Sequence, residues 1–401
     1  MHPPIESKLP NVGTTIFSVM SRLAADYGAI NLSQGFPDFE PPERLLALAS
    51  EQMHKAVGGR GVGNQYAPMT GLPILREAIA AKVAEYYGAN VDPDTEVTVT
   101  AGGTEALFCA IQALVRQGDA VVLLDPSYDS YEPAVTLAGG HTVRVPLRRP
   151  GFGIDWQRLR DALTTARPRL LILNFPHNPS GATLTAADLV QLSSLLRGTN
   201  TFVLSDEVYE HMLFDGRKHN SLLTHAELAG RSFVVSSFGK TYHATGWKVG
   251  YCIAPAALTM EFRKVHQFVQ FVVATPLQAA IADFMNECPE HTRELPGFYQ
   301  RKRDYFASLL ERTRFQFEPA HSTYFQLVDY SAVSDLPDTE FAHLLTTQHG
   351  VAAIPISVFS AADGASVSTN NAAAPSERII RFCFAKHEAT LDAAAERLRL
   401  L

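Results

Sequence analysis

Cysteine is scarce. Cys109, Cys252, Cys288 and Cys383 are scattered over a 401-residue chain, with no CxxC pair and no paired His–Cys spacing. Neither a disulfide framework nor a zinc site is indicated, and four reduced thiols are expected. Long apolar runs are missing too: none reaches the ~18 residues that a membrane helix needs. The opening MHPPIESKLPNVGTT has no charged stretch followed by an apolar one, so no signal peptide is visible and the cytoplasm is the expected setting. Positive charge is in deficit, with 34 Lys and Arg against 41 Asp and Glu, a formal net charge of −7. That balance speaks against non-specific nucleic-acid or anionic-membrane binding and leaves open a local basic site for a small anion. With 46% apolar and 19% charged residues, the chain excludes wholesale disorder and can bury a large core.

No internal repeat of fixed period stands out. Residues 1–44 are rich in Pro, Gly and Asn, end in QGFPDFEPPE, and read as an extended N-terminal arm belonging to a small domain. From 45 to about 285 the pattern is that of a large α/β domain. Leu45–Ala56 and Leu72–Tyr87 read as helices, the latter with Leu75, Ile79 and Val83 at helical spacing. Short apolar runs follow at 96–100, 120–125, 169–174, 201–207, 232–238 and 249–254, with helical stretches such as Glu105–Arg116 and Ala186–Leu196 between several of them. Continuous Val/Ile/Leu strands alternating with helices predict a mostly parallel sheet buried on both faces, with ligands beyond the carboxyl ends of its strands. Residues 286–401 read as a smaller α+β domain, with strands near 323–330, 351–357 and 378–385. Segment 360–377, SAADGASVSTNNAAAPSE, reads as a mobile surface loop.

Five stretches carry chemistry. In SSFGKTYHATGWKVGY (236–251), Lys240 follows a strand, with Ser237 and Lys248 close by. A lysine so placed is ordinarily a solvated charge. A neighbouring cation lowers a lysine pKa, however, and a neutral amine can form a Schiff base. In SDEVYE (205–210), Asp206 ends an apolar strand, either as a helix cap or as a carboxylate keeping a heteroaromatic nitrogen protonated; Tyr209 offers a phenol to the same place. NFPHNPSG (174–181) is a turn whose Asn178 can donate to a phenolate oxygen. TAGGTEAL (100–107) runs from strand through glycines to a helix start, an anion cradle, and is no GxGxxG. In RFCFAK (381–386), Arg381 sits at the rim of an apolar strand, where a planar fork suits a substrate carboxylate.

In this order the stretches resemble the fold-type I pyridoxal-phosphate enzymes, and among them the class I aminotransferases. INLSQGFPDFEPPE, NQYAPMTGLPILREAIA, DPSYDSYEPA, SDEVYEH, SSFGKTYHATGWKVGYC and VAAIPISVF are most similar to the group of bacterial methionine aminotransferases and kynurenine aminotransferase/glutamine transaminase K. The resemblance runs from about Leu9 to the end. It implies pyridoxal 5'-phosphate as cofactor and Lys240 as the lysine bonded to it. Asp206 then faces the ring nitrogen, Asn178 and Tyr209 the phenolic oxygen, and Tyr128 stacks on the ring. Gly103, Thr104 and Glu105, with Ser237 and Lys248, hold the phosphate. Tyr66 reaches the neighbouring subunit's phosphate, which implies a homodimer. Asn178 and Arg381 hold the substrate carboxylate, and Gly35 makes a backbone contact beside it. The side-chain pocket is expected to draw on Ile16, Phe17, Tyr66 and Tyr324; no clear second arginine for a dicarboxylate side chain is seen, although Arg22 lies on the arm and could approach.

The resemblance implies ping-pong transfer of the amino group of methionine, and of aromatic amino acids, histidine, glutamine or kynurenine, to a 2-oxo acid. Two rivals stand beside it. One is a cysteine-S-conjugate β-lyase on the same scaffold. The other is a cofactor-binding regulator, which would need a DNA-binding domain for which residues before 30 leave no room.

Overall fold

The computed structural model describes residues 5–55, 63–360 and 378–401. The 360–377 segment therefore lies outside the described residues except for Ser360. The described residues contain twelve strands: β1 (Ile30–Asn31), β2 (Val97–Thr100), β3 (Ala120–Asp125), β4 (His141–Pro146), β5 (Leu170–Asn174), β6 (Phe202–Asp206), β7 (Ser232–Ser237), β8 (Gly250–Ile253), β9 (Phe325–Asp329), β10 (Val351–Ala352), β11 (Ile354–Pro355) and β12 (Ile379–Cys383).

Seven of them form the central sheet in the order β2-β8-β7-β6-β5-β3-β4. Its inner strands are runs of Val, Ile and Leu buried on both faces, as the helix-covered α/β layer requires. Only β8 is reversed, antiparallel to both β2 and β7. The register brings chemistry to one edge: Asn174 pairs with Asp206 at the carboxyl ends of β5 and β6, and Ser237, the last residue of β7, pairs with Gly250, the first of β8.

A second, antiparallel sheet has the order β11-β12-β9, and β1 pairs in parallel with β10. The N-terminal segment is thus tied to the C-terminal one, Ile30 against Val351. Leu32, Tyr209, Tyr324, Phe325 and Phe382 share one apolar cluster beneath this region.

Two expectations are corrected. The arm is not extended throughout, because Ile16–Asp26 is a helix. Its prolines and glycines fall outside that stretch, the Thr15 hydroxyl caps Ser18 N–H, and Met20 packs on Ala342, Ile354, Ile356 and Phe359. Arg381 is not at a strand rim. It lies mid-strand in β12, the central strand of its sheet, opposite Ile354 on one side and Leu327 on the other, and is 0% exposed. Among the described residues no helix is long and apolar enough to cross a membrane.

Candidate active site

A cavity of about 190 Å³ opens at the carboxyl ends of β5, β6 and β7. Gly103, Thr104, Tyr128, Asn178, Asp206 and Tyr209 line one part of it, and Ser237, Lys240, Thr245 and Lys248 the other. Residues from five separate stretches of sequence therefore meet in one place.

Lys240 sits in the short helix Phe238–Thr241 that follows β7. Its Nζ donates to Tyr324 Oη at 2.9 Å and to the Gly35 carbonyl at 3.3 Å. Tyr324 Oη in turn donates to that same carbonyl. The amine pKa is lowered to about 8, chiefly because the site strips it of water, with Lys248 and Arg381 adding positive charge nearby. Tyr324 is fully buried under the amine.

Asp206 ends β6. Its carboxylate accepts from Tyr131 Oη at 2.7 Å and from Val208 N–H at 3.3 Å. Burial raises its pKa to about 6, against the opposing pull of the Tyr131 hydrogen bond. Asn174 braces two neighbours at once: its Nδ2 donates to the Asp206 carbonyl at 3.0 Å, and its Oδ1 accepts from Asn178 N–H at 2.9 Å. Tyr209 is buried edge-on to Tyr324, ring centroids 5.2 Å apart, and burial pushes its phenol well above the usual range. Tyr128 packs edge-on against Tyr131 and is pushed up to about 12 by burial.

Arg381 Nη1 donates to Asn178 Oδ1 at 2.6 Å, and Nη2 to the Ser33 carbonyl at 3.2 Å. Its Nε is buried with no partner among the described residues. The guanidinium lies 3.8 Å from the Phe325 ring centroid, with Phe359 and Phe17 at 5.3 and 5.6 Å. Burial lowers its pKa to about 10, so it is a cation at neutral pH.

The helix Gly102–Leu114 has no side-chain cap, and its first N–H groups have no intrahelical partner. Glu105 is turned elsewhere. Its Oε2 accepts from Ala101 N–H at 3.0 Å, and its Oε1 meets His266 Nδ1 at 2.8 Å. That leaves the N–H groups of Gly102, Gly103 and Thr104 for an anion, with Lys248 alongside. A Cβ on Gly102, whose φ is +77°, would stand 3.2 Å from Lys248 Nζ.

Not every expected residue is here. Tyr66 is 81% exposed and lies in a separate hollow with Val273 and Thr275, its ring 5.5 Å from that of Phe271. Arg22 points to solvent and pairs loosely with Asp26 at 3.7 Å. Ile16 and Phe17 line a larger adjoining cavity that shares Tyr128. Sequence reasoning missed Tyr131, Asn174 and Ser33. The repeated Tyr of DPSYDSY and the Asn ending β5 were visible signals, whereas Ser33 acts only through its carbonyl.

The site defines a class: a buried lysine amine, a buried carboxylate and an uncapped helix start share one cavity, and a buried arginine is bonded to Asn178 in its wall. The family of aminotransferases of class I and II matches residues 27–398, and the chain belongs to it. It is therefore a pyridoxal-phosphate-dependent transferase. The methionine aminotransferase of Escherichia coli K12 is 53% identical over 396 residues, 99% of this chain and 98% of that one. Human kynurenine–oxoglutarate transaminase 1 is 34% identical, covering 94% of this chain and 93% of its own length. Among solved structures, E. coli YbdL, described as having a methionine aminotransferase function, superposes with a TM-score of 0.91 at 52% identity over the whole of both chains. N-succinyldiaminopimelate aminotransferase of Mycobacterium tuberculosis does so at 0.90 and 38%, over 99% of this chain and all of its own.

The cavity fits the cofactor on its own features. The helix start and Lys248 suit a phosphate. Asp206 is a buried carboxylate held only by neutral donors, and a protonated ring nitrogen would give it the cation that such a group needs.

Proposed function

We propose that this aminotransferase takes L-methionine as its preferred donor, with aromatic amino acids, histidine, glutamine or kynurenine as further donors, and a 2-oxo acid as acceptor. The observation that carries this reading is the setting of Arg381. One buried fork for an α-carboxylate is walled by Phe17, Phe325 and Phe359, and Arg22 stays away from it. An apolar wall admits a thioether or a ring and separates such side chains weakly, by about 1–3 kcal/mol per methylene. The relatives favour transamination over β-elimination.

In this proposal Lys240 bonds the cofactor, Asp206 faces its ring nitrogen, and Asn178 and Tyr209 face its phenolic oxygen. Tyr128 lies on its ring. Gly103, Thr104 and Glu105, through their backbone, bind the phosphate with Ser237 and Lys248. The bound cofactor supplies an electron sink for the charge left at the substrate Cα and carries the amino group between half-reactions. The chain supplies the rest. Arg381, with Asn178, orients the donor by its carboxylate, and the Gly35 carbonyl closes the same side. Lys240 Nζ, neutral above about pH 8 without the cofactor, is the base that takes the Cα proton. Its contacts with Tyr324 and Gly35 aim it.

We also propose a homodimer in which the exposed Tyr66 reaches the partner's phosphate site; Phe268, 87% exposed, and Phe271 add apolar surface beside it. Residues 1–44 and 286–401 form the small domain and 45–285 the large one, which the apolar clusters support by joining Met20 to Ile354 and Leu32 to Phe382. The four free cysteines support a cytoplasmic setting. The test is a donor panel. kcat/KM should be highest for methionine, and aspartate as best donor would overturn the substrate reading.

A further inference from the structure

Outward from Tyr128 the cavity widens to about 920 Å³, between the helix Ile16–Asp26 and the segment after β3. Its inner wall is apolar, with Ile16, Phe17 and Phe359. Further out it carries three charged residues, Asp129, Glu132 and Arg144. Arg144 is fully engaged: Nη1 holds Asp125 and Nη2 holds Glu132, each at 2.6 Å. Glu132 is also held by Thr142 Oγ1 at 2.9 Å. Asp129 differs from both. It is half-buried, next in sequence to the stacking Tyr128, and its side chain has no hydrogen bond or ion pair to another residue among the described ones. Burial raises its carboxyl pKa while Arg381, within electrostatic reach, works the other way.

The consequence is asymmetric. A donor anchored by its α-carboxylate at Arg381 sends its side chain toward this wall. A second carboxylate arriving there loses water, meets a like charge, and finds the one lining cation among the described residues, Arg144, already neutralised. A thioether or a ring loses nothing, and an imidazolium gains a partner. We propose that Asp129 is a specificity-determining residue, a free carboxylate that turns acidic side chains away from the outer cavity and favours neutral or cationic ones.

This inference rests on the transaminase reading, and its test separates the two. The holoenzyme is mixed with L-methionine, L-aspartate or L-histidine without oxo acid, and kcat/KM of the half-reaction is read from the cofactor's absorbance. The unsubstituted enzyme is compared with Asp129→Asn, Asp129→Glu and, should the first not fold, Asp129→Ser. Removing the charge raises the aspartate-to-methionine ratio about tenfold, the scale of one like-charge contact in a partly solvated site. It also lowers the histidine-to-methionine ratio at acidic pH, and Asp129→Glu restores both. A ratio in Asn and Ser within about twofold of the starting enzyme overturns the inference alone. No conversion by methionine in the unsubstituted enzyme overturns the reading and the inference with it.

Discussion

Arg381 Nη1 and Asn178 Oδ1 stand 2.6 Å apart, although 203 residues separate them in sequence. The bond joins the middle of β12 to the turn after β5, and so fixes the guanidinium, the proposed carboxylate fork, relative to the cavity that Asn178 lines. Replacing Arg381 by lysine keeps the charge and loses the planar fork, leaving Asn178 or the Ser33 carbonyl without its donor. Arg381→Lys should lower kcat/KM about a hundredfold or more for every amino donor alike, mainly through KM, with little change in the methionine-to-phenylalanine ratio. Steady-state kinetics on the two donors checks this; a loss confined to one donor would contradict it.

The lysine amine gives a pH prediction. In cofactor-free protein the pKa of Lys240 falls from its ordinary value to about 8, with burial the largest cause and Lys248 among the others. A lowered pKa makes the neutral, nucleophilic form dominate above about pH 8 rather than above the usual lysine range. Trapping of pyridoxal at Lys240 by borohydride should therefore rise through about pH 8. Lys248→Gln removes a neighbouring cation and should move the midpoint upward. A midpoint in the ordinary lysine range would contradict the account.

Tyr131 donates to Asp206 at 2.7 Å and thereby favours the charged carboxylate. Tyr131→Phe removes that donor, so the Asp206 pKa rises and the carboxylate is lost at higher pH on acidification. The acid limb of kcat/KM should move up by about one pH unit, and stability should fall by about 1–3 kcal/mol for the group left unpaired. A pH profile from 5 to 9 and a urea titration read the two effects separately.

Gly250, next to the uncapped start of the helix Gly102–Leu114, is a packing requirement. A Cβ on Gly250 would lie 2.7 Å from the Ser236 carbonyl oxygen and 2.8 Å from the Gly102 carbonyl carbon, both backbone. Neither can swing aside, so β8 and the start of the helix Gly102–Leu114 must separate. Gly250→Ala should destabilise by about 1–3 kcal/mol and weaken cofactor retention more than Gly246→Ala, where a Cβ meets nothing within 4 Å. Thermal midpoints and cofactor dissociation rates provide the comparison.

The inner strands of the large sheet were legible because β3 and β5 are nearly continuous apolar runs, and β6 and β7 each hold three consecutive apolar residues bounded by polar ones. β4 was not: His141 and Arg144 interrupt its pattern, and as an edge strand it is only partly buried. The helix Ile16–Asp26 was hidden by the prolines and glycines around it, and its burial depends on Ile354 and Phe359, far along the chain. In the site, Lys240, Asp206 and Arg381 were legible because each sets a charge against an apolar run. Ser33 contributes a carbonyl oxygen, which every residue has, so its side chain carries no signal, and Gly35, which also acts through its carbonyl, was reached only through the resemblance. The commitment of Glu105 to His266, and of Tyr324 to Lys240, is a matter of tertiary approach that spacing does not encode.

In the proposed function Lys240 and Arg381 serve one amino-transfer site for a neutral, methionine-like donor. Adding L-methionine to the purified holoenzyme without oxo acid tests it most directly. The visible band of the bound cofactor should give way to that of its aminated form at a lower concentration of methionine than of L-phenylalanine, L-kynurenine or L-aspartate, and Lys240→Ala should lack the starting band. An unchanged band with methionine, or the same band in Lys240→Ala, would contradict the account.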